Sequence, residues 1–170
     1  MNKPTFAVLA ALSFTGCVQE ADQLSVDTVD LSELSAPAQR DLTTARRATA
    51  KYHDFDVATA DRYVDSGLPC IEGQGFHYLK PELIGTNDVK LPQLLLYVPD
   101  DEGELELVGL EWLQPIADET TQPLTLFGQT FHGPNTVEGV PFPFFALHVW
   151  AWKENANGLF EDTNPQVHCR

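Results

Sequence analysis

Pro92-Gln-Leu-Leu-Leu-Tyr-Val-Pro99, Asp100-Asp-Glu-Gly-Glu104 and Leu105-Glu-Leu-Val-Gly-Leu-Glu-Trp-Leu113 follow one another directly: two apolar runs flank an acidic turn. Each run has strand length, and Gly103 can take the left-handed conformation that a tight reversal needs, so the stretch reads as a β-hairpin. Outward from it, Phe76-His-Tyr78 reads as a short strand and Leu124 to Phe131 as another. Phe144-Phe-Ala-Leu-His-Val-Trp-Ala-Trp152 is nearly continuous in apolar residues, which predicts a central strand covered on both faces. Gly and Pro clusters at 133–143 and 155–165 read as connecting loops. Before Cys70 the texture is helical. Residues 38–52 place Leu42, Ala45, Thr49 and Tyr52 on one stripe, and Ser35-Ala-Pro37 signals the helix start. Asp56 is positioned to cap a second helix from Val57 to about Val64, closed by Asp65-Ser-Gly67. Helices followed by meandering strands predict a single α+β domain, with N-terminal helices packed on an antiparallel sheet of about 4–6 strands.

Charge narrows the partners. The chain has 170 residues, with 10 Lys and Arg against 25 Asp and Glu, a formal charge of −15. That deficit excludes broad nucleic-acid binding, which needs a basic face to neutralise phosphate. Residues 91–152 contain nine acids and no Lys or Arg, so the strand half carries a field that favours cations; a solvated surface or salt adaptation is the simpler account of it. The basic residues Arg40, Arg46, Arg47, Lys51 and Arg62 concentrate in the helices, where Asp41, Asp54, Asp61 and Asp65 are available as partners.

The amino terminus carries an address. Lys3 precedes the apolar run Phe6 to Phe14, and Thr15-Gly16-Cys17 follows it. The run is too short to span a bilayer core, which takes about 20 helical residues, and so reads as a signal. The segment resembles a bacterial lipoprotein signal, in which a Gly-Cys junction is cleaved and the cysteine becomes the lipidated first residue. On that resemblance, residues 1–16 are a signal peptide and Cys17 is lipidated. The lipid would hold the protein to the membrane, and with Val18 rather than Asp after the cysteine, to the outer membrane in a Gram-negative host. Residues 17–37 then form a tether, acidic and polar to about Pro37, and 38–170 the globular domain. An ordinary secretory signal cleaved elsewhere is the alternative. Cys70 and Cys169 remain as an even pair, which in an oxidising compartment reads as a disulfide; a Cys–His metal or redox pair involving His168 is the other option.

The residues able to do chemistry lie in the strand half. His77, His132 and His148 fall in or just beyond expected strands, and alternation along Leu105, Leu107, Gly109, Glu111 and Leu113 puts Glu111 on an otherwise apolar face. His148 alternates with Phe144, Ala146, Trp150 and Trp152. A carboxylate on a buried face costs several kcal/mol unless paired. With no Lys or Arg in this part of the chain, histidine is the available partner. His77, Glu111, His148 and His132 are therefore candidate ligands for a divalent transition metal such as zinc, copper, iron or manganese. The competing reading is a Glu–His or Glu–Tyr hydrogen bond within the core. His53 and His168 look peripheral, and Phe76, Tyr78, Trp112, Phe127, Phe131, Trp150 and Trp152 read as core more readily than as a ligand pocket. No Gly-x-Ser-x-Gly, phosphate-cradling loop or reactive cysteine supports nucleophilic or nucleotide chemistry, and no catalytic residue is assigned.

Taken together, Gly75-Phe-His-Tyr78, Leu94-Leu-Leu-Tyr-Val-Pro99, Leu107-Val-Gly-Leu-Glu-Trp112, Leu126-Phe-Gly-Gln-Thr-Phe-His-Gly-Pro134, Leu147-His-Val-Trp-Ala-Trp152, Gly158-Leu-Phe160 and Asn164-Pro-Gln-Val-His-Cys169, preceded by Ala45-Arg-Arg-Ala-Thr-Ala-Lys-Tyr52, resemble an uncharacterised family of exported bacterial and archaeal proteins. The family has no assigned activity. The resemblance implies that Cys70, His77, Glu111, His148 and Cys169 match its pattern, while Asn135 to Phe145 departs from a segment richer there in Met and His. Three functional readings follow: an exported lipoprotein with a His/Glu metal site, a non-catalytic envelope protein binding a small ligand or protein partner, and an acid–base enzyme with an open cleft beside His148.

Overall fold

A computed structural model describes Leu31 and residues 34–169. The expected signal segment, Cys17 and most of the tether lie outside the described residues. Helix α1, Ala36–Thr49, opens where the sequence signals it: the Ser35 hydroxyl accepts from the Ala38 N–H and Pro37 sits in the first turn. Residues 36 and 37, placed in the tether by sequence, are thus helical, and Leu31 and Leu34 pack on the core. The buried stripe is Ala38, Leu42, Ala45 and Thr49, and a 3-10 turn over Ala50–His53 carries it on to Tyr52. Helix α2, Phe55–Ala60, is capped by Asp54, whose side chain accepts from the Asp56 N–H. The expected cap at Asp56 is therefore off by two residues. The helix also stops short of Val64, because Arg62 turns left-handed and Val64–Asp65 already forms β1.

The basic face is only partly as expected. Lys51 pairs with Asp61 at 2.7 Å, whereas Arg62 pairs with Glu82. Arg46 turns inward, donating to the Ala151 carbonyl and lying over the Trp152 ring.

Strands β2 (Phe76–Leu79), β3 (Leu94–Pro99), β4 (Leu105–Pro115), β5 (Thr125–Leu126), β6 (Gln129–Thr130), β7 (His132–Asn135) and β8 (Phe144–Val149) complete the elements. Six strands form one antiparallel sheet in the order β1-β2-β3-β4-β8-β7. The β3–β4 hairpin is the one read from sequence, with Gly103 at φ 87° in its turn. Two expectations change. Leu124–Phe131 is not a single strand: it doubles back at Phe127-Gly128, both left-handed, as the separate β5–β6 hairpin. The run 144–152 is strand only to Val149, and it lies inside the sheet, paired with β4 on one side and, on the other, with β7, which forms within a stretch read as loop. All six residues of β8 are buried.

A bulge in β4 decides the two faces. Leu96 pairs with Gly109 and Tyr97 with Leu107, so Val108 is an extra residue and the alternation changes phase there. Leu107, Leu110 and Trp112 face the helices with Leu95, Tyr97, Leu147 and Val149, against Leu42, Ala45 and Tyr52. On the opposite face, Leu96, Val98, Val108 and Trp150 pack with Val167 of the C-terminal segment, beside a patch of Leu94, Leu113, Phe144 and Ala146. Gly109 permits this packing: a Cβ there would stand 3.1 Å from Leu96 Cδ1 and 3.2 Å from the Trp150 ring.

The C-terminal segment covers that second face without regular structure. Trp150 Nε1 donates to Glu161 O, Asn164 Nδ2 to Glu154 O, and Gly73 exchanges backbone bonds with Val167 and Asn164. The Cys70–Cys169 disulfide closes it, joining residues 99 apart with Cα atoms at 5.8 Å. Among the described residues, no helix is long and apolar enough to cross a membrane.

Candidate metal centre

Three strands deliver three polar side chains to one point on the face opposite the helices. Glu111 on β4 and His148 on β8 are direct cross-strand partners. His77 on β2 comes from beyond β3, where it pairs with Leu96, and Gly75 lets the chain leading into β2 run close against the Tyr97 carbonyl of β3. One ligand atom from each of His77, Glu111 and His148 lies within 4.8 Å of the other two. Metal bonds of about 2.0–2.2 Å in a tetrahedral site put ligand atoms about 3.3–3.6 Å apart, so the set reaches a single ion once its atoms draw together by up to about 1.5 Å.

The centre is buried. Glu111 is 4% exposed, and His77 and His148 are each 5% exposed. His77 Nε2 lies 3.6 Å from Glu111 Oε2, and His148 Nε2 lies 3.7 Å from Glu111 Oε1. These separations exceed the roughly 2.7–3.2 Å of a hydrogen bond. Accordingly Glu111 Oε2, His77 Nδ1 and both His148 ring nitrogens are buried without a hydrogen-bond partner. A core Glu–His hydrogen bond would leave the polar atoms satisfied. The observed arrangement instead holds two nitrogens around a carboxylate at the spacing of groups that share an ion.

A second carboxylate stands behind His148. Asp162 Oδ1 is 3.6 Å from His148 Nδ1 and 2.7 Å from His132 Nδ1. His132 thus lies outside the three-residue group and reaches it only through Asp162. The Trp150 indole lies parallel to the His148 imidazole at 6.3 Å. Electrostatics separates the two buried histidines. Burial pushes the His77 pKa down, an effect that Glu111 only partly offsets and that positive charge on His148 reinforces. Burial opposes charge on His148 too, but Glu111 and Asp162 together outweigh it and hold its pKa above the ordinary value. Asp162 is lowered to about 2, chiefly by His148 and then by His132.

The other expectations sort by position. His53 packs edge-on to Trp152 and His168 pairs with Glu72 at 2.6 Å, both away from the centre. Trp152 turns toward the helix-side core instead of sharing the face of His148, because β8 has ended three residues before it. Trp112, Phe127, Phe131 and Trp150 are core. No member of the His77, Glu111 and His148 group comes from 135–145. The acid–base reading needs an open cleft beside His148, and that residue is buried, 5% exposed. Sequence reasoning missed Asp162. Its only local signal is one acid among Glu154, Glu161 and Asp162 in a loop rich in Asn.

No protein-family model matches the chain, and neither a curated protein nor a solved structure does.

Proposed function

We propose that the protein is an exported, lipid-anchored envelope domain that holds a divalent transition metal between His77, Glu111 and His148. The observation that carries the metal reading is the buried Glu111 carboxylate, flanked by imidazole Nε2 atoms at 3.6 and 3.7 Å and hydrogen-bonded to neither. A buried carboxylate that makes no hydrogen bond to the imidazoles beside it is incompletely satisfied, and a dication shared by the three groups would satisfy it. Two imidazoles and one carboxylate suit zinc, iron, manganese or copper better than calcium or magnesium, which favour all-oxygen sets. Export is supported by the Lys3–Cys17 pattern, by the resemblance to exported proteins and by a disulfide of the kind that persists in oxidising compartments.

The test is elemental analysis of protein purified without chelator, with melting temperatures on adding zinc, copper or manganese. One equivalent of metal and a concentration-dependent rise in melting temperature are expected, absent in Glu111→Gln. Absence of metal together with an unchanged melting temperature overturns the metal reading. Mass spectrometry of the mature N-terminus, with Cys17→Ala as control, tests the anchor: a diacylglyceryl cysteine is expected, and an unmodified terminus cut elsewhere overturns it.

A further inference from the structure

We propose that Asp162, held in place by His132, is the positioning residue of the metal centre, keeping the proton of His148 on Nδ1 so that Nε2 is the nitrogen turned to the ion. This rests on the metal reading above and names the group that organises it.

The His148 ring is buried between two carboxylates, one at each nitrogen: Glu111 Oε1 at 3.7 Å from Nε2 and Asp162 Oδ1 at 3.6 Å from Nδ1. The two carboxylates are not equivalent. Glu111 is inside the sheet, within 4.8 Å of His77, and belongs to the ligand set. Asp162 is outside it, on the irregular C-terminal segment, with a side chain 55% exposed. That loop is nonetheless anchored around Asp162. Its carboxylate meets His132 Nδ1 at 2.7 Å, its carbonyl accepts from Gln74 Nε2 at 3.0 Å, and the preceding carbonyl, of Glu161, accepts from Trp150 Nε1 at 2.7 Å. The same Trp150 lies parallel to the imidazole. Ring plane and ring edge are therefore set by neighbouring residues of one chain segment. A metal-bound histidine characteristically donates its other N–H to a carboxylate, which fixes both tautomer and orientation. Asp162 occupies that place for His148. Nδ1 and Asp162 need to close by about 0.5–1 Å to reach hydrogen-bond length, a movement open to the Asp162 side chain, which is 55% exposed.

The experiment measures zinc affinity by chelator competition and locates the His148 proton by long-range 1H–15N correlation in the zinc-loaded protein. In the wild type, zinc on Nε2 and a proton on Nδ1 are expected. Asp162→Ala weakens zinc by about 10–100-fold, the usual cost of an outer-sphere partner. Asp162→Asn keeps an acceptor oxygen and recovers part of that loss, and His132→Gln, one residue further out, costs less than Asp162→Ala. A purely structural Asp162 would lower the melting temperature of the metal-free protein without moving the proton or ranking Asn above Ala. Wild-type affinity in Asp162→Ala, or zinc on His148 Nδ1 in the wild type, overturns the proposal. Should Asp162→Ala not fold, Asp162→Asn and His132→Gln decide it by the same readouts. Failure of the wild type to bind zinc, copper or manganese is a different result: it removes the metal reading itself.

Discussion

Glu111 and His148 face each other as a cross-strand pair of β4 and β8, carboxylate oxygen to imidazole Nε2 at 3.7 Å. The register of the sheet, rather than a loop, fixes this pair, so the candidate centre has the rigidity of the hydrogen-bonded ladder around it. His77 arrives from a third strand on the same ladder.

Removing a member of the triad should cost more metal affinity than removing anything around it. Glu111→Gln, His77→Ala and His148→Ala are each expected to lose more than the roughly 10–100-fold typical of an outer-sphere change. Competition titrations against a chelator of known affinity check the order, and a triad variant that binds like the wild type counts against the site.

Metal affinity should rise with pH. His77 is held neutral by burial, but His148 retains a proton above its ordinary range because Glu111 and Asp162 outweigh its burial. That proton must leave Nε2 before a metal can take it, so binding releases a proton below the His148 pKa and none well above it. Calorimetry in buffers of different ionisation enthalpy reads the proton count directly; a count that does not change with pH contradicts the assignment.

The Cys70–Cys169 bridge closes a loop spanning 99 positions. In the chain-entropy model such a loop contributes about 4–5 kcal/mol. Cys70→Ser with Cys169→Ser should lower the denaturant midpoint accordingly and loosen the C-terminal segment that carries Asp162. Hydrogen exchange over 153–169 distinguishes this local release from a uniform loss.

Gly109→Ala should destabilise by about 1–3 kcal/mol through overpacking. The added methyl would meet Leu96 and the Trp150 ring, and displacing Trp150 disturbs the surface against which His148 lies. Thermal melts and zinc affinity are both expected to fall.

The acid limb of stability should contain Asp61. Lys51 and the Tyr52 hydroxyl bond to it, with Lys80 nearby, and they hold its pKa at about 2. A depressed carboxyl pKa gives a contribution complete above the unfolded value near ~4 and lost as pH falls through the folded one. Asp61→Asn should therefore flatten the stability profile between about pH 4 and 2 and leave its shape near neutrality unchanged.

What the residues by themselves determined is the material with a local cause. The Ser35 cap, the stripe through Leu42 and Ala45, the Gly103 turn and the strands it joins each follow from spacing and backbone preference within a few positions. So does the inference that Glu111 needs imidazole partners, since no Lys or Arg lies between 91 and 152. Where local rules failed, a distant contact won. The extra residue Val108 shifts the phase of β4, placing Leu107 on the face opposite Glu111 although plain alternation puts them together. Pairing with β8 draws His132–Asn135 into the sheet from a Gly-Pro stretch that reads as loop. Only the tertiary structure could bring His77 and His148 to 3.6 and 3.7 Å from Glu111, set His132 behind Asp162, and bring Asp162 to the ring. Those positions depend on strand register and on an irregular segment held by Asn164, Gly73 and the disulfide, and such long-range pairings leave no periodic trace in the chain.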